Sequence, residues 1–350
     1  MRVLIVDDSP VLRVLLRSVL EHAGFEVREA DSGEQALRVL QSYQPDIVTM
    51  DVHMPGMDGY ETTARILEKY ALPVVVVTAS ANAYAAATAM QALAAGALSV
   101  LEKPQGPGAA NFETRVEELI STLRSMSQVK IVRRPRSVKR PVAPPAASPI
   151  YPGLPRLVAI AASAGGPVAL KELLSRLTGK LPWPLLLAQH IAAGFVGSFR
   201  DWLTSVSTVS VVIAEHGLRL QPGVLYLSPD GSQLGVSADL RAQLQARSGE
   251  PYCPSADHMF RSVGRSLGNQ AIGIQLSGMG RDGAEGLLEL HRLGALTVVQ
   301  EPTSAVIDAM PLAAIKLHAA RQVLQPEAIA ALLNTIALRG VARSTSPGGE

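Results

Sequence analysis

The sequence predicts an α/β protein: a flavodoxin-like domain, then a second doubly wound, mostly parallel α/β domain. In both halves of the chain, short apolar segments of strand length alternate with amphipathic segments of helical spacing. Between them, Val132–Pro155 is basic and proline-rich, with too few apolar residues to form a core. We therefore expect folded domains at residues 1–125 and 156–340, a linker at 126–155 and a flexible tail at 341–350.

The first half contains five segments that predict parallel strands. They are Val3–Val6, Glu26–Glu29, Asp46–Met50, Pro73–Val77 and Ala97–Leu101. The first helix should begin after Ser9, whose hydroxyl can cap it, with Pro10 at the first helical position. Five strands that alternate with five helices favour the flavodoxin-like fold.

The second half repeats the alternation with one interruption. Its predicted strands are Leu157–Ala161, Pro184–Ala188, Val209–Ile213, Val224–Leu227, Ala271–Leu276 and Leu296–Val299. A β-rich insertion is expected around Val224–Ala246. The remaining segments suit helices that cover a parallel sheet.

Acidic side chains follow two strands of the first half. Asp7 and Asp8 come directly after the first strand, and Asp51 follows the third. The carboxyl ends of parallel strands open onto one crevice, so these carboxylates should converge and attract a hard cation such as Mg²⁺. Thr78 and Lys103 end the fourth and fifth strands. A carboxylate nucleophile, a metal, a hydroxyl and an ammonium group are together the parts needed to form and hold an acyl phosphate.

These segments resemble the response-regulator receiver family. The resemblance lies in VDDSP, MDVHMPGMDGYE, VVVVTAS and LEKP, and covers about residues 1–125. It implies that a sensor histidine kinase phosphorylates Asp51. Val100 departs from the family, because many receivers carry an aromatic residue three positions before the lysine. We therefore expect a phosphate switch that does not depend on a rotating ring.

Three polar residues follow strands of the second half. Ser163 ends the strand LVAIAA, His190 follows PLLLAQ, and Asp282 lies in the glycine-rich turn after AIGIQLSG. Strand ends of a parallel sheet share one edge, so a hydroxyl, an imidazole and a carboxylate should meet there, the set that activates a serine nucleophile. Two alternatives stay open at this point. His258 could be the base instead, and Asp282 could simply cap the helix beginning near Ala284.

The second half resembles the catalytic domain of chemotaxis-type protein-glutamate methylesterases. The resemblance lies in AASAGG, AQHIAAGF, PSADHMFRSVG, LSGMGRDGAEGL and SAVIDAMP, between about residues 156 and 338. It implies that Ser163 is the nucleophile, that His190 is the general base and acid, and that Asp282 orients the imidazole.

The nucleophile turn departs from the family at one position. Ala164 stands where many members have a threonine directly after the serine. The backbone N–H survives this change, so a reduced rate rather than a different reaction is expected. The candidate donors for the oxyanion are at Ala164, Gly165 and Met279.

The two resemblances together imply a phosphorylation-activated esterase that acts in chemotaxis-type signalling. Its expected substrates are glutamate γ-methyl esters on the cytoplasmic helices of chemoreceptors, with methanol as a product and deamidation of receptor glutamines as a further activity. The ester chemistry should need no cofactor. Regulation is expected from a receiver that limits access to the active site until Asp51 is phosphorylated. The alternative is a receiver-controlled binding or scaffold protein with weak catalysis, which Ala164 slightly favours.

Composition excludes several other classes of protein. The single cysteine, Cys253, rules out an internal disulfide framework, and a net charge of +2 does not indicate nucleic-acid binding. We find no helix-turn-helix pattern, nucleotide-binding lysine loop or dinucleotide fingerprint. Because two carboxylates lie within the first eight residues, we expect no signal peptide, and no apolar segment is long enough to span a bilayer. We therefore expect a cytoplasmic protein that does not insert into membranes.

Overall fold

The chain divides into two compact units, Met1–Pro135 and Arg136–Glu350. The computed structural model describes residues 1–78, 83–129, 131, 154–178, 181–247 and 251–344, without the side chains of residues 83–87 and 340–344. Most of the predicted linker and the last six residues of the predicted tail lie outside the described residues.

The first unit is a five-stranded parallel sheet with the order β2-β1-β3-β4-β5. Its strands are β1 (Arg2–Val6), β2 (Glu26–Ala30), β3 (Ile47–Met50), β4 (Val74–Thr78) and β5 (Ser99–Glu102). Its helices are α1 (Pro10–His22), α2 (Gly33–Val39), α3 (Gly59–Tyr70), α4 (Ala83–Ala95) and α5 (Phe112–Met126). This order is that of the flavodoxin-like fold, so the predicted fold class is confirmed. The predicted cap is confirmed too, because the Ser9 hydroxyl accepts a bond from the Leu12 N–H.

Strands β1 and β3 lie side by side in the middle of this sheet, with Val6 paired to Met50. Both strands are buried on both faces, as expected for apolar strands covered by helices. The chain therefore delivers Asp7 and Asp51, the next residue of each strand, to adjacent positions at one sheet edge.

The second unit is built on a seven-stranded parallel sheet with the order β14-β13-β12-β6-β7-β9-β8. Its strands are β6 (Leu157–Ala162), β7 (Leu185–Gln189), β8 (Ser210–Ile213), β9 (Val224–Leu227), β12 (Ala271–Gln275), β13 (Leu296–Gln300) and β14 (Gln322–Leu324). Its helices are α6 (Gly166–Leu174), α7 (Val196–Val206), α8 (Ala256–Leu267), α9 (Ala284–Arg292), α10 (Ala309–Lys316) and α11 (Pro326–Ser344). Strands β7, β6 and β12 are neighbours, so the residues that follow them meet at the same edge.

A separate antiparallel hairpin of β10 (Ser232–Val236) and β11 (Ala242–Ala246) stands apart from this sheet. Strand β10 is largely buried and packs against α8, with Leu234, Val236 and Phe260 in one core cluster. The hairpin thereby fixes the connection that enters α8.

The structure differs from the sequence-based expectation at three places. Strand β9 belongs to the main sheet, so only β10 and β11 form the insertion predicted at Val224–Ala246. Strand β14 was not predicted, because three partly exposed residues carry no recognisable pattern. Helix α11 continues to Ser344, beyond residue 341, where the tail was expected to begin. None of the described helices combines the length and apolarity required to cross a membrane.

Candidate active site

Ser163 lies directly after β6 and is 7% exposed. Its N–H donates to the Ser277 carbonyl at 3.0 Å, and its carbonyl accepts from the Gly166 N–H at 2.8 Å. Two residues on, Gly165 has a φ of +75°, and a Cβ there would lie 2.5 Å from Val306 Cβ. Only glycine fits this turn, which begins α6 and holds the serine at the sheet edge.

His190 follows β7, the neighbour of β6, and its imidazole lies between Ser163 and Asp282. Its Nδ1 is 3.2 Å from Ser163 Oγ, and its Nε2 is 2.9 Å from Asp282 Oδ2. The buried amide of Gln189 donates to the carbonyls of Ser163 and His190, both at 2.9 Å, and so ties the two strand ends together. With Nε2 protonated toward the carboxylate, Nδ1 is free to accept the serine proton, a tautomer inferred from this network. The structure therefore brings the three predicted residues together.

Asp282 is buried and is surrounded by hydrogen-bond donors. Besides His190, the donors are Ser255 Oγ at 3.0 Å, the Ala256 N–H at 2.7 Å and the Asp257 N–H at 3.1 Å. Burial alone would raise the pKa of this carboxyl, but the bond and charge of His190 and the backbone donors outweigh it and hold the pKa below its usual value. The backbone donors come from the N-terminus of α8, where the helix dipole also favours a negative charge.

The structure answers both alternatives left open by the sequence. His258 lies in the first turn of α8, where its N–H donates to Ser255 Oγ at 3.2 Å. The imidazole hydrogen-bonded to Ser163 is that of His190. Asp282 makes no side-chain cap on α9, which begins after Gly283; its carboxylate caps α8 instead.

A second aspartate, Asp257 in α8, caps α9. Asp257 Oδ1 accepts the Gly286 N–H of α9 at 2.6 Å. The two helices thus exchange caps: Asp282, two positions before α9, caps α8, and Asp257 in the first turn of α8 caps α9. These bonds fix the position of Asp282 relative to the sheet edge. They could not be read from the sequence because the two partners of each bond are more than 20 residues apart.

The turn after β12 passes close to the serine. Ser277 Oγ lies 3.0 Å from the carbonyl oxygens of Ala164 and Ile307, which ties this turn to the nucleophile turn. A Cβ on Gly278 would come within 2.8 Å of Ser163 Cβ, so only glycine leaves room for the serine. Sequence reasoning did not identify Ser277, although it lies within a segment that carried the resemblance.

The N–H groups of Ala164, Gly165 and Met279 have no hydrogen-bond acceptor among the described residues. Ala164 and Gly165 follow Ser163 directly in the chain. Met279 follows Gly278, whose backbone lies close to the Ser163 side chain. Free backbone donors beside a nucleophile can stabilise a tetrahedral oxyanion. Their assignment as oxyanion donors stays a prediction.

The first unit places the five other predicted residues at its own sheet edge. Asp7 and Asp51 are buried and Asp8 is exposed, and each offers one oxygen within 4.8 Å of the others. Lys103 Nζ lies 2.7 Å from both Asp7 Oδ2 and Asp51 Oδ2. Thr78 Oγ1 is buried with no hydrogen-bond partner among the described residues. Three converging carboxylate oxygens fit a hard divalent cation, and an unpaired hydroxyl fits an incoming oxyanion.

The electrostatics of Asp51 are opposite to those of Asp282. Burial raises the pKa of Asp51; the charge and hydrogen bond of Lys103 offset this only in part, and the negative charge of Asp7 adds to it. The charged form of Asp51 is therefore less favoured than that of a carboxylate in water.

Comparison with known proteins gives the same division of the chain. Residues 158–333 match the family described as CheB methylesterase, and residues 3–111 match the response regulator receiver domain. Two similar proteins, from Hahella chejuensis and Anaeromyxobacter dehalogenans, are each named protein-glutamate methylesterase/protein-glutamine glutaminase 3. The first is 50% identical over 96% of this chain and 98% of its own length. The second is 45% identical over 94% and 97%.

One solved structure supports the fold of the second unit. The CheB methylesterase catalytic domain of Thermotoga maritima is 27% identical with a TM-score of 0.50, and the match covers 52% of this chain and 98% of that domain. The matched share of that chain shows that the whole catalytic domain is represented here.

Proposed function

This chain belongs to the CheB methylesterase family and carries a receiver domain in front of the esterase domain, and we propose that it is a phosphorylation-regulated protein-glutamate methylesterase and protein-glutamine glutaminase. The proposed substrates are γ-methyl esters of glutamate, and glutamine side chains, on the cytoplasmic helices of chemoreceptors. The activity serves adaptation in chemotaxis-type signalling.

The observation that carries the proposal is the position of His190 between Ser163 and Asp282. Nδ1 accepts the serine proton as Oγ attacks the ester carbonyl, and the imidazolium that forms faces an aspartate kept ionised by α8. The N–H groups of Ala164, Gly165 and Met279 are the proposed donors to the oxyanion.

Collapse of the tetrahedral intermediate completes the first half of the reaction. His190 returns its proton to the leaving oxygen, so methanol departs and an ester forms between Ser163 and the glutamyl carbonyl. A water molecule, deprotonated by the same imidazole, hydrolyses this acyl-enzyme and restores the serine and a free glutamate. A glutamine side chain follows the same course with ammonia as the leaving group.

For the receiver we propose phosphorylation of Asp51 by a sensor histidine kinase. Asp7, Asp8 and Asp51 would hold Mg²⁺, which supplies charge neutralisation for the transferred phosphoryl group. Lys103 and the unpaired hydroxyl of Thr78 would bind its oxygens. Phosphorylation then shifts the population toward a form with an accessible esterase site. Val100, buried in β5, replaces the aromatic residue of many receivers, so this shift proceeds without a rotating ring.

The direct test is methanol release from methylated receptor. Ser163→Ala should lower the rate about 10³-fold or more, because it removes the hydroxyl that is hydrogen-bonded to His190 Nδ1. Ser205→Ala is the matched control, since that hydroxyl donates to the Trp202 carbonyl within its own helix α7. Ammonia release from receptor glutamines should fall with methanol release. Methanol release by Ser163→Ala at the native rate would mean that Ser163 is not the nucleophile. If the native chain itself released no methanol, the esterase assignment would be wrong and the scaffold alternative would stand.

A further inference from the structure

The imidazole of His190 is covered on one face by an aromatic ring. Tyr252 stacks on it with ring centroids 4.8 Å apart and an interplanar angle of 4°. Tyr252 is 38% exposed, while the His190 side chain is only 16% exposed. The tyrosine therefore lies at the mouth of the site and separates one face of the base from solvent.

A buried amide holds the segment that carries Tyr252. Gln233, on β10 of the hairpin, is fully buried. Its Nε2 donates to the Tyr252 carbonyl at 2.8 Å, and its Oε1 accepts the Ser255 N–H at 2.6 Å. One side chain thus fixes both ends of residues 252–255. One end carries the ring against His190, and the other carries the Ser255 hydroxyl that donates to Asp282.

We propose that Tyr252, clamped by Gln233, is a positioning residue that fixes the plane of the His190 imidazole. Both nitrogens of the His190 ring make hydrogen-bond contacts, Nδ1 with Ser163 and Nε2 with Asp282. A tilt of this ring therefore lengthens one of these contacts or both. A flat, parallel neighbour resists such a tilt. The face of an electron-rich ring also favours the imidazolium formed after proton transfer. This inference rests on the proposed esterase function.

The test uses the full chain with three substitutions at one position. Tyr252→Phe keeps the ring and removes the hydroxyl, whereas Tyr252→Ala and Tyr252→Leu remove the flat face, the latter with less loss of volume. Leu317→Ala is the control for truncation of a similarly exposed apolar side chain, 39% exposed at the end of α10. Two rates are measured: methanol release from methylated receptor, resolved into kcat and KM, and covalent labelling of Ser163 by a small fluorophosphonate.

The alanine and leucine variants should lose about two- to tenfold in kcat and in labelling rate together, with KM unchanged, because an aromatic stack of this kind contributes that much. Tyr252→Phe and Leu317→Ala should match the native chain in both. The labelling rate separates a positioning role from a substrate contact. The small reagent reacts with Ser163 with the help of His190, but it does not contact the surface that binds the receptor.

Three outcomes would overturn the inference. Native labelling with a raised KM in Tyr252→Ala would make the tyrosine a substrate contact. A phenylalanine variant as slow as the alanine variant would assign the effect to the hydroxyl. Native rates in all variants would remove any role. Failure of the proposed function differs from these: the native chain would label at Ser163 yet release no methanol, and the labelling rates alone would decide the role of Tyr252.

Discussion

Two buried aspartates, Asp51 in the first unit and Asp282 in the second, follow central strands of parallel sheets and yet have opposite electrostatics. The pKa of Asp51 is raised, chiefly by burial. The pKa of Asp282 is lowered, because its donors outweigh the effect of burial. Both residues lie beyond the carboxyl end of a central strand, Asp51 directly after β3 and Asp282 in the turn between β12 and α9.

The difference lies in what faces each carboxylate. Asp282 receives bonds from an imidazole, a hydroxyl and two N–H groups of α8. Asp51 shares one ammonium, that of Lys103, with a second buried carboxylate. A stable anion suits a residue that stays charged opposite an imidazolium, and a less stable one suits the proposed conversion of Asp51 to an acyl phosphate. The strand end places the aspartate, and the neighbouring helix and charges decide its chemistry.

The largest expected effect comes from removing the charge of Asp282 while keeping its shape. Asp282→Asn should lower kcat for methanol release about 10⁴-fold, because the amide neither stabilises the imidazolium nor enforces the tautomer that frees Nδ1. Asp201→Asn, exposed on α7, is the matched control and should keep the native rate. A loss of less than tenfold would show that the paired carboxylate does not orient the base.

The corresponding charge removal in the first unit should abolish activation rather than catalysis. Treating the chain with a small acyl phosphate and Mg²⁺ should raise the methylesterase rate about five- to thirtyfold, the range that a 1–2 kcal/mol population shift allows. Asp51→Asn should keep the basal rate and lose this increase, whereas Asp31→Asn, exposed outside the pocket, should keep it. An Asp51→Asn variant that is still activated would place the phosphorylated residue elsewhere.

A smaller effect should follow from removing one donor to Asp282. Ser255→Ala should lower kcat about three- to tenfold, since one hydrogen bond to the carboxylate is lost and two backbone donors remain. Ser255→Thr keeps the hydroxyl and should restore the native kcat. A native kcat in Ser255→Ala would contradict the proposed contribution of this hydroxyl.

The contrast between the two sites also shows what the sequence could and could not predict. Ser163, His190 and Asp282 were recognisable because each follows an apolar strand, and parallel topology brings strand ends to one edge. The same reasoning found Asp51 and Lys103. It could not find the residues that set the electrostatics, since those bonds join distant segments. Ser255 meets Asp282 only because α8 packs on α9.

Gln233 and Tyr252 were missed for a related reason. Each lies in or beside a hairpin whose position depends on tertiary packing, and neither belongs to a periodic pattern. Strand β14 was missed because its three residues are too few to show alternation. Strand β9 was found, but its membership in the parallel sheet was not, because four apolar residues beside a β-rich segment do not show which strand they pair with. Local pattern thus predicts elements and strand-end residues, and long-range packing determines their environment.

The smallest expected effects are on folding stability. The contrast between Asp51 and Asp282 predicts that removing the charge stabilises the first unit and destabilises the second. Because the folded pKa of Asp51 is raised, stability falls as pH rises from the usual carboxyl value through the folded one, and the deficit is complete above the folded value. Asp51→Asn should therefore stabilise the first unit by about 1 kcal/mol, a shift of a few degrees in Tm, with Lys103 still paired to Asp7.

Asp282 has the opposite linkage. Its lowered pKa gives stability that is present above the usual carboxyl value and lost as pH falls through the folded value. Asp282→Asn should therefore destabilise the second unit at neutral pH by about 1 kcal/mol or more, since the amide presents N–H groups to existing donors. Calorimetry of the full chain would resolve the two effects, with Asp51→Asn raising one transition and Asp282→Asn lowering another. Shifts of the same sign would mean that burial governs both carboxylates alike, and that α8 does not stabilise the charge of Asp282.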